Sequence, residues 1–327
     1  MTSLRQVLIV KTSSLGDLVH TLPAVSDMVR HVPSLQIDWV AEESFADIPV
    51  FHPKVRRVIP VALRRWRHHP LQRMVWREFA VFREGLRASH YDIVLDHQGL
   101  IKSAAVACLA RGERWGFDWQ SAREPLASVC YHQHCAVAQG QHAVVRNRAL
   151  AACALGYEVP TSPPEYGIAP PSLPRLVDYV LPERYVVLLH ATSRVSKTWP
   201  KGHWIDLGAT LAAQGWSCVL PWGNEAERLV AAELAAVIPC AAVLPRCRLR
   251  ELAGILVGAG FVIGTDTGLT HLAAALGCPT VALYTDTEPG LTGVMAGRLG
   301  WARNLGAPGQ VPTPDQVLLA LREGTTV

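Results

Sequence analysis

Residues Phe261–Tyr284 read FVIGTDTGLTHLAAALGCPTVALY. Phe261–Gly264 is apolar and of strand length, Gly268–Leu276 is helix-forming, and Thr280–Tyr284 is apolar again. A strand, a helix and a strand in this order form a crossover unit whose two strands run parallel. The turn between them, Thr265-Asp266-Thr267-Gly268, has chemical as well as structural content. A helix N-terminus offers unpaired N–H groups and partial positive charge, a ready phosphate site. Gly268 permits close backbone approach, and His271, one turn on, shares the same face. Asp266 would repel a phosphate, so it either caps the helix or accepts hydrogen bonds from sugar hydroxyls. Spacing alone leaves both open.

The alternation continues outward. Strands are expected at Tyr185–Leu189, Ser217–Pro221 and Ala241–Leu244, with helices at Lys201–Ala213, Glu225–Val237 and Leu249–Val257. Ahead of them PTSPPEYGIAPPSLPRL, Pro160–Leu176, is too rich in proline to continue a helix or a central strand. It reads as a linker. Before it lie strand-like runs at Val7–Val10, Ile37–Val40, Val58–Val61, Tyr91–Leu95 and near Trp115. Helical patterns fall at Asp17–Arg30, Gln72–Arg87, Gly99–Leu109 and His142–Leu155. The expected class is α/β, two Rossmann-like doubly wound domains facing a central cleft. The first would span 1–160, the linker 161–178 and the second domain 179–312, leaving a helix within 313–327 as a candidate to pack back on the first. In such folds ligands bind outside the C-terminal ends of the strands.

A chain of 327 residues, half of them hydrophobic and 18% charged, can supply two cores. No apolar run reaches the roughly 20 residues of a membrane-spanning helix, and the N-terminal apolar run is too short for a secretion signal. The eight cysteines form no CxxC pair and mostly sit in apolar segments. They are expected to be structural thiols in a reducing cytoplasm. Net charge is +4, unevenly spread: Lys54–Arg87 holds ten basic residues and two acids, so it carries +8 and the remainder −4. A local field of that size favours an anionic partner.

Three more segments carry candidate chemistry. VLIVKTSSLGDLVHTLPAV (Val7–Val25) is a strand, a small-residue turn and a helix opening at Gly16-Asp17; Asp17 either caps the helix or presents a carboxylate to the cleft. The turn lacks the spacing of a phosphate-binding P-loop. LLHATSRVSKTWPKGHW (Leu188–Trp204) offers Lys197 and the hydroxyls of Thr192 and Ser193, which suit a diphosphate, although a solvated loop is the alternative. His190 reads as a hydrogen-bonded core histidine. PWGNEAERL (Pro221–Leu229) places Glu227 where a carboxylate could bind ribose hydroxyls or simply face solvent. GAGFVIG precedes a strand instead of following one, which argues against a nicotinamide dinucleotide site.

Several strings, taken together and in order, resemble one family: KTSSLGDLVHTLPA, VIPVALRRWR, DHQGLIKSA, DWQSAREPLAS, HATSRVSKTWP, LPWG and DTGLTHLAAAL. They look like the lipopolysaccharide heptosyltransferases of glycosyltransferase family 9, and RRWR and DWQSAREPLAS favour type I over type II. The resemblance implies a two-Rossmann (GT-B) enzyme using ADP-L-glycero-β-D-manno-heptose as donor. It would add heptose to a Kdo residue of Kdo2-lipid A with inversion, needing no metal and no cofactor. Asp17 would be the general base. Lys197, Thr192, Ser193, Thr267 and Gly268 would hold the diphosphate. Asp266 and His271 would contact heptose and phosphate, Glu227 the ribose, and Cys247 the adenine. Three departures stand out: Cys247 replaces an apolar residue such as methionine, Ser193 replaces a threonine, and YTDTEPG (Tyr284–Gly290) replaces a YGPTxPG-like turn.

The basic segment is expected to meet the phosphates and carboxylates of the lipid acceptor through Arg64, Arg65 and Arg67 beside Trp66, with Lys102 and Arg123 as further acceptor contacts. Arg73, Arg77, Arg83 and Arg87 read as a solvated helix face. Attraction to anionic lipid would hold the protein on the cytoplasmic face of the inner membrane of a Gram-negative bacterium. A related transferase or a non-catalytic nucleotide-binding module is the alternative; no nucleic-acid-binding module with stacking aromatics is present.

Overall fold

The computed structural model describes residues 5–176, 179–192, 194–298 and 300–324. The chain divides into two compact units, Met1–Ala169 and Pro170–Val327, so the division falls inside the proline-rich stretch.

The first unit has six strands, β1 (Arg5–Val10), β2 (Leu35–Glu42), β3 (Val55–Val61), β4 (His90–Asp96), β5 (Arg111–Phe117) and β6 (Gln133–Cys135). Its helices are α1 (Leu15–Val19), α2 (Leu22–His31), α3 (Asp47–Val50), α4 (Leu63–Trp66), α5 (Arg73–Arg87), α6 (Ile101–Leu109) and α7 (Ala143–Leu155). The sheet is parallel, in the order β3-β2-β1-β4-β5-β6. β1 reads as a continuous apolar run because it is covered on both faces, and Val7, Leu8, Ile9 and Val10 are all fully buried. The single helix expected over Asp17–Arg30 is two, because Pro23 has no amide hydrogen and sits in the first turn of a new helix, α2.

The second unit repeats the plan with β7 (Tyr185–Leu189), β8 (Ser217–Leu220), β9 (Ala241–Val243), β10 (Phe261–Thr265), β11 (Thr280–Tyr284) and β12 (Ala302–Gly306). Its helices are α8 (Lys201–Ala213), α9 (Glu225–Ala235), α10 (Leu249–Gly258), α11 (Gly268–Ala275), α12 (Pro289–Thr292) and α13 (Pro314–Gly324). The order β12-β11-β10-β7-β8-β9 is that of the first sheet, read from the other edge. In both sheets the strand order reverses at one place, between β1 and β4 and between β7 and β10. That crevice is where doubly wound sheets bind ligands. The C-terminal helix, a candidate to pack back on the first domain, lies against α8, β11 and β12 of its own unit.

One expectation is corrected. The cysteines are not all thiols: Cys135 at the end of β6 and Cys153 in α7 are disulfide-bonded, with Cα atoms 6.1 Å apart. Strand β6 was not anticipated, so nothing in the sequence showed that α7 packs beside it and brings two cysteines 18 positions apart into reach.

Candidate functional site

At the switch point of the first sheet, β1 delivers Lys11–Ser14 and β4 delivers His97 and Gln98. The two loops are tied together. Gln98 Oε1 accepts from both the amide and the hydroxyl of Thr12, each at 2.8 Å, and Lys11 Nζ donates to the His97 carbonyl at 2.9 Å. Beneath them Asp96 is fully buried, accepting from Ser103 Oγ at 2.8 Å, Tyr131 OH at 2.7 Å and the Gln98 amide at 2.8 Å. Burial raises its carboxyl above the ordinary value while these bonds oppose the rise.

Asp17 occupies the third position of α1, and its two oxygens have different partners. Oδ2 caps the helix, accepting from the amide and hydroxyl of Ser14 at 2.9 Å each. Oδ1 faces Lys11 Nζ at 3.9 Å, and the carboxylate keeps 27% of its side-chain surface exposed. Burial by itself would raise this carboxyl, but Lys11, the Ser14 amide, His20 and Arg123 together hold it below the ordinary value. Lys11 is buried, and desolvation lowers its ammonium while Asp17 and Asp96 oppose that. Asp17 is therefore a reachable, ionised carboxylate.

Cations surround it. Lys102 Nζ donates to Ser13 Oγ at 3.1 Å, and Arg123 and Arg146 act electrostatically on Lys11. Arg64 is drawn to the same sheet edge through Glu42, which accepts the Arg64 amide at 3.0 Å and also feels the charge of Lys102. Arg65 is engaged otherwise, bonded to Glu43 at 3.0 Å and to Glu78 at 2.8 Å. Arg67 is exposed just beyond α4. Of the expected acceptor contacts, Arg123 acts on Asp17 through its charge, Lys102 bonds Ser13 in the loop before it, Arg64 lies over the Phe45 ring at 4.8 Å, and Arg65 already has two carboxylate partners.

The second switch point lies between the ends of β7 and β10. Gly264 in β10 has no room for a side chain: a Cβ there would come within 2.3 Å of Thr270 Oγ1 and 2.9 Å of Leu189. That close approach lets α11 begin directly at the end of the strand, with Thr267 at its cap and Gly268 its first residue. Asp266 is not the cap. It binds Lys197 Nζ at 2.5 Å, Thr287 Oγ1 at 2.6 Å and the His271 ring at 3.3 Å. Burial would raise its carboxyl, but these three partners hold it far below the ordinary range. The result is a fixed carboxylate orienting Lys197 beside the open amides of α11.

Thr192 and His190 follow β7 on the same edge. Thr192 Oγ1 and His190 Nδ1 are buried and have no hydrogen-bond partner among the described residues. Such a hydroxyl on the same sheet edge as Lys197 and the start of α11 suits a diphosphate, whose oxygens accept hydrogen bonds. Ser193 lies outside the described residues. Glu227 follows β8, where its carboxylate takes the Gly223 amide and the Asn224 side chain at 2.7 Å each, and its carbonyl meets His190 Nε2 at 3.2 Å. Cys247 follows β9, donates to the Pro245 carbonyl at 3.2 Å, and has its thiol pushed up to about 11 by burial.

Comparison with known proteins decides the family. The model of glycosyltransferase family 9 (heptosyltransferase) matches residues 79–309, well over half of the chain. This chain belongs to that family. It is a glycosyltransferase. It is 48% identical over 289 residues to lipopolysaccharide heptosyltransferase 1 of Pseudomonas aeruginosa, covering 88% of this chain and 81% of that protein. The Escherichia coli K12 protein of the same name is also 48% identical over 289 residues, with 88% and 90% covered. Among solved structures, the E. coli heptosyltransferase WaaC with ADP matches at TM-score 0.87 and 43% identity, covering 98% of this chain and 99% of that one. WaaC with ADP-2-deoxy-2-fluoro heptose matches at 0.84 and 42%, covering 97% and 99%.

Within this family-9 chain, three site residues escaped the sequence reading. Lys11 was read only as part of the turn after the first strand, and its surroundings depend on the partners β4 brings to it. Gln98 is a polar residue in a turn, visible only through its bonds to Thr12 and Ser13. Thr287 matches the threonine of the YGPTxPG-like turn and holds Asp266, while Thr285, one of the departing positions, donates to the Ser196 carbonyl at 2.8 Å.

Proposed function

We propose that this heptosyltransferase moves L-glycero-D-manno-heptose from ADP-heptose to a Kdo residue of Kdo2-lipid A, inverting the anomeric centre and using no metal. The observation that carries the reading is the match, over 97% of the chain at 42% identity, to a heptosyltransferase holding a fluorinated ADP-heptose. The donor's diphosphate lies against Lys197, Thr192 and the amides at Thr267 and Gly268, and Glu227 takes the ribose. An acceptor hydroxyl attacks the anomeric carbon as the bond from that carbon to the phosphate oxygen breaks. The proton passes to Asp17, and the electron pair leaves with ADP. Lys197 and the helix N-terminus stabilise charge growing on the departing diphosphate. Asp266, kept ionised, aims the ammonium. Lys102 and Arg123, with Arg64 next to them, receive the acceptor's carboxylate and phosphate groups, and the protein works peripherally on the cytoplasmic face of the inner membrane.

The test is incubation with ADP-heptose and deacylated Kdo2-lipid A, following ADP release and the mass and anomeric configuration of the product. Positioned general bases contribute about 10²–10⁴-fold, so Asp17→Ala should lose rate in that range with donor affinity kept. Lys197→Ala should lose both affinity and turnover. Near-normal turnover by Asp17→Ala, or transfer of a different sugar, would sink the reading.

A further inference from the structure

Helix α5 sends Val75, Phe82 and Leu86 into the core, and large apolar side chains stand exposed along both margins of that stripe, with arginines on the outer face between them. Met74 is 63% exposed, Trp76 62% and Val81 69%, and Leu71 just ahead of the helix is 93% exposed. Trp76 is propped edge-on against Phe79, with ring centroids 6.4 Å apart, and still faces water. Arg73, Arg77 and Arg83 are exposed among these apolar groups. Of the two acids in the helix, Glu78 is turned away and bonded to Arg65 and Trp66, leaving Glu84 as the one anion on the outer face. At the C-terminal end of α5, Arg83, Glu84 and Arg87 join Arg111 of β5 around an open hollow of ≈ 540 Å³.

We infer that this face is a membrane-docking surface, seating Leu71, Met74, Trp76 and Val81 at the headgroup–acyl boundary of an anionic bilayer. This rests on the proposed reading that the acceptor is a lipid. Charge complementarity selects the occupant. Arginines interleaved with apolar side chains match a surface that is anionic above and hydrocarbon below. Trp favours that interface. A nucleic acid would satisfy the arginines and leave the apolar groups in water. The hollow, where Arg83, Arg87 and Arg111 outnumber Glu84, is placed to take a phosphate headgroup, with fork-shaped donors that grip it.

The experiment is flotation of the full chain with acceptor-free vesicles, of phosphatidylcholine alone or with phosphatidylglycerol added. Two variants are compared: Arg73→Gln/Arg77→Gln/Arg83→Gln, and Met74→Ser/Trp76→Ser/Val81→Ser. All six positions are exposed, so each variant should keep the parent's melting temperature, and either one suffices. The parent should float with the anionic vesicles, less so as salt rises, and not with the neutral ones. Each basic residue near an anionic surface contributes about 1 kcal/mol, so the arginine variant should lose about a hundredfold in partitioning. Both variants should keep turnover on the deacylated acceptor and lose it on acceptor embedded in anionic vesicles. Parent-like flotation by the variants, or selective retention of RNA over vesicles by the parent, overturns the docking surface. Failure on the soluble acceptor would count against the proposed function instead, which keeps the two apart.

Discussion

The proposed role of Asp17 as base needs a carboxylate that is both ionised and reachable, and Lys11 stands 3.9 Å from it. Lys11 is nearly sealed from solvent, and its ammonium is satisfied by one carbonyl at 2.9 Å and one carboxylate at 3.9 Å. The other groups bearing on Asp17 are the Ser14 amide, His20 and Arg123, with Arg146 beside Arg123. Because the carboxyl is depressed, Asp17 stays deprotonated until pH falls below the ordinary carboxylate range, and only then should kcat/KM decline. Removing the nearest cation must move that decline upward. Lys11→Met is expected to shift the acidic limb of the kcat/KM profile to higher pH, while Lys197→Ala leaves the limb in place. An unmoved limb in Lys11→Met would show that Lys11 only fills space. Asp17 itself was legible from the Gly16-Asp17 helix start, but its division of labour was not. The capping reading is met by Oδ2, while the contact of Oδ1 with Lys11 left no signal in the sequence.

At the scale of elements, the strands that were legible are those buried on both faces, such as β1, β7 and β11, since such strands read as unbroken apolar runs. The strands β6 and β12 lie at sheet edges, and their sequences QHC and ARNLG carry neither an apolar run nor alternation. The contact between α2 and α7 was also hidden, and it includes a buried ion pair. Arg148 of α7 binds Asp27 of α2 with Nε–Oδ2 at 2.6 Å and Nη2–Oδ1 at 3.3 Å, at side-chain exposures of 6% and 1%. A charge run in sequence gives no hint of a buried partner 121 positions away. Breaking a buried pair from one side strands the other charge and costs about 3–5 kcal/mol. Arg148→Met should therefore lower the free energy of unfolding in urea by roughly that amount, and the double variant Asp27→Leu/Arg148→Met should recover most of it. A double variant no better than the single would mean that packing, not the stranded carboxylate, dominates.

Across the whole molecule, the same strand order is used twice, so on the proposed reading it is the residues at each switch point that set what it binds. The first gathers Lys11, Lys102 and Arg123 around a carboxylate. The second gathers one lysine, a helix N-terminus and unpartnered hydroxyl chemistry. A nucleotide diphosphate should accordingly stabilise one unit and not the other. Binding to the native state adds about 2.7 kcal/mol when ligand is at 100 times its Kd, and slowed amide exchange reports where that stability resides. The second unit has a hydrophobic cluster of its own, from Val186 and Leu188 through Ile263 to Leu321, and the first has one from Leu8 through Val94 to Ala110. ADP is expected to slow exchange in β7, in β10 and at the start of α11, up to the level of that second cluster, while β1 and β4 exchange as before. Asp266→Asn should weaken the protection by loosening Lys197, whereas Asp17→Asn should leave it intact. Equal slowing in β1 and β4 would mean that the nucleotide is not held by the second unit alone, and the assignment of Lys197, Thr192 and Gly268 as its cradle would have to be abandoned.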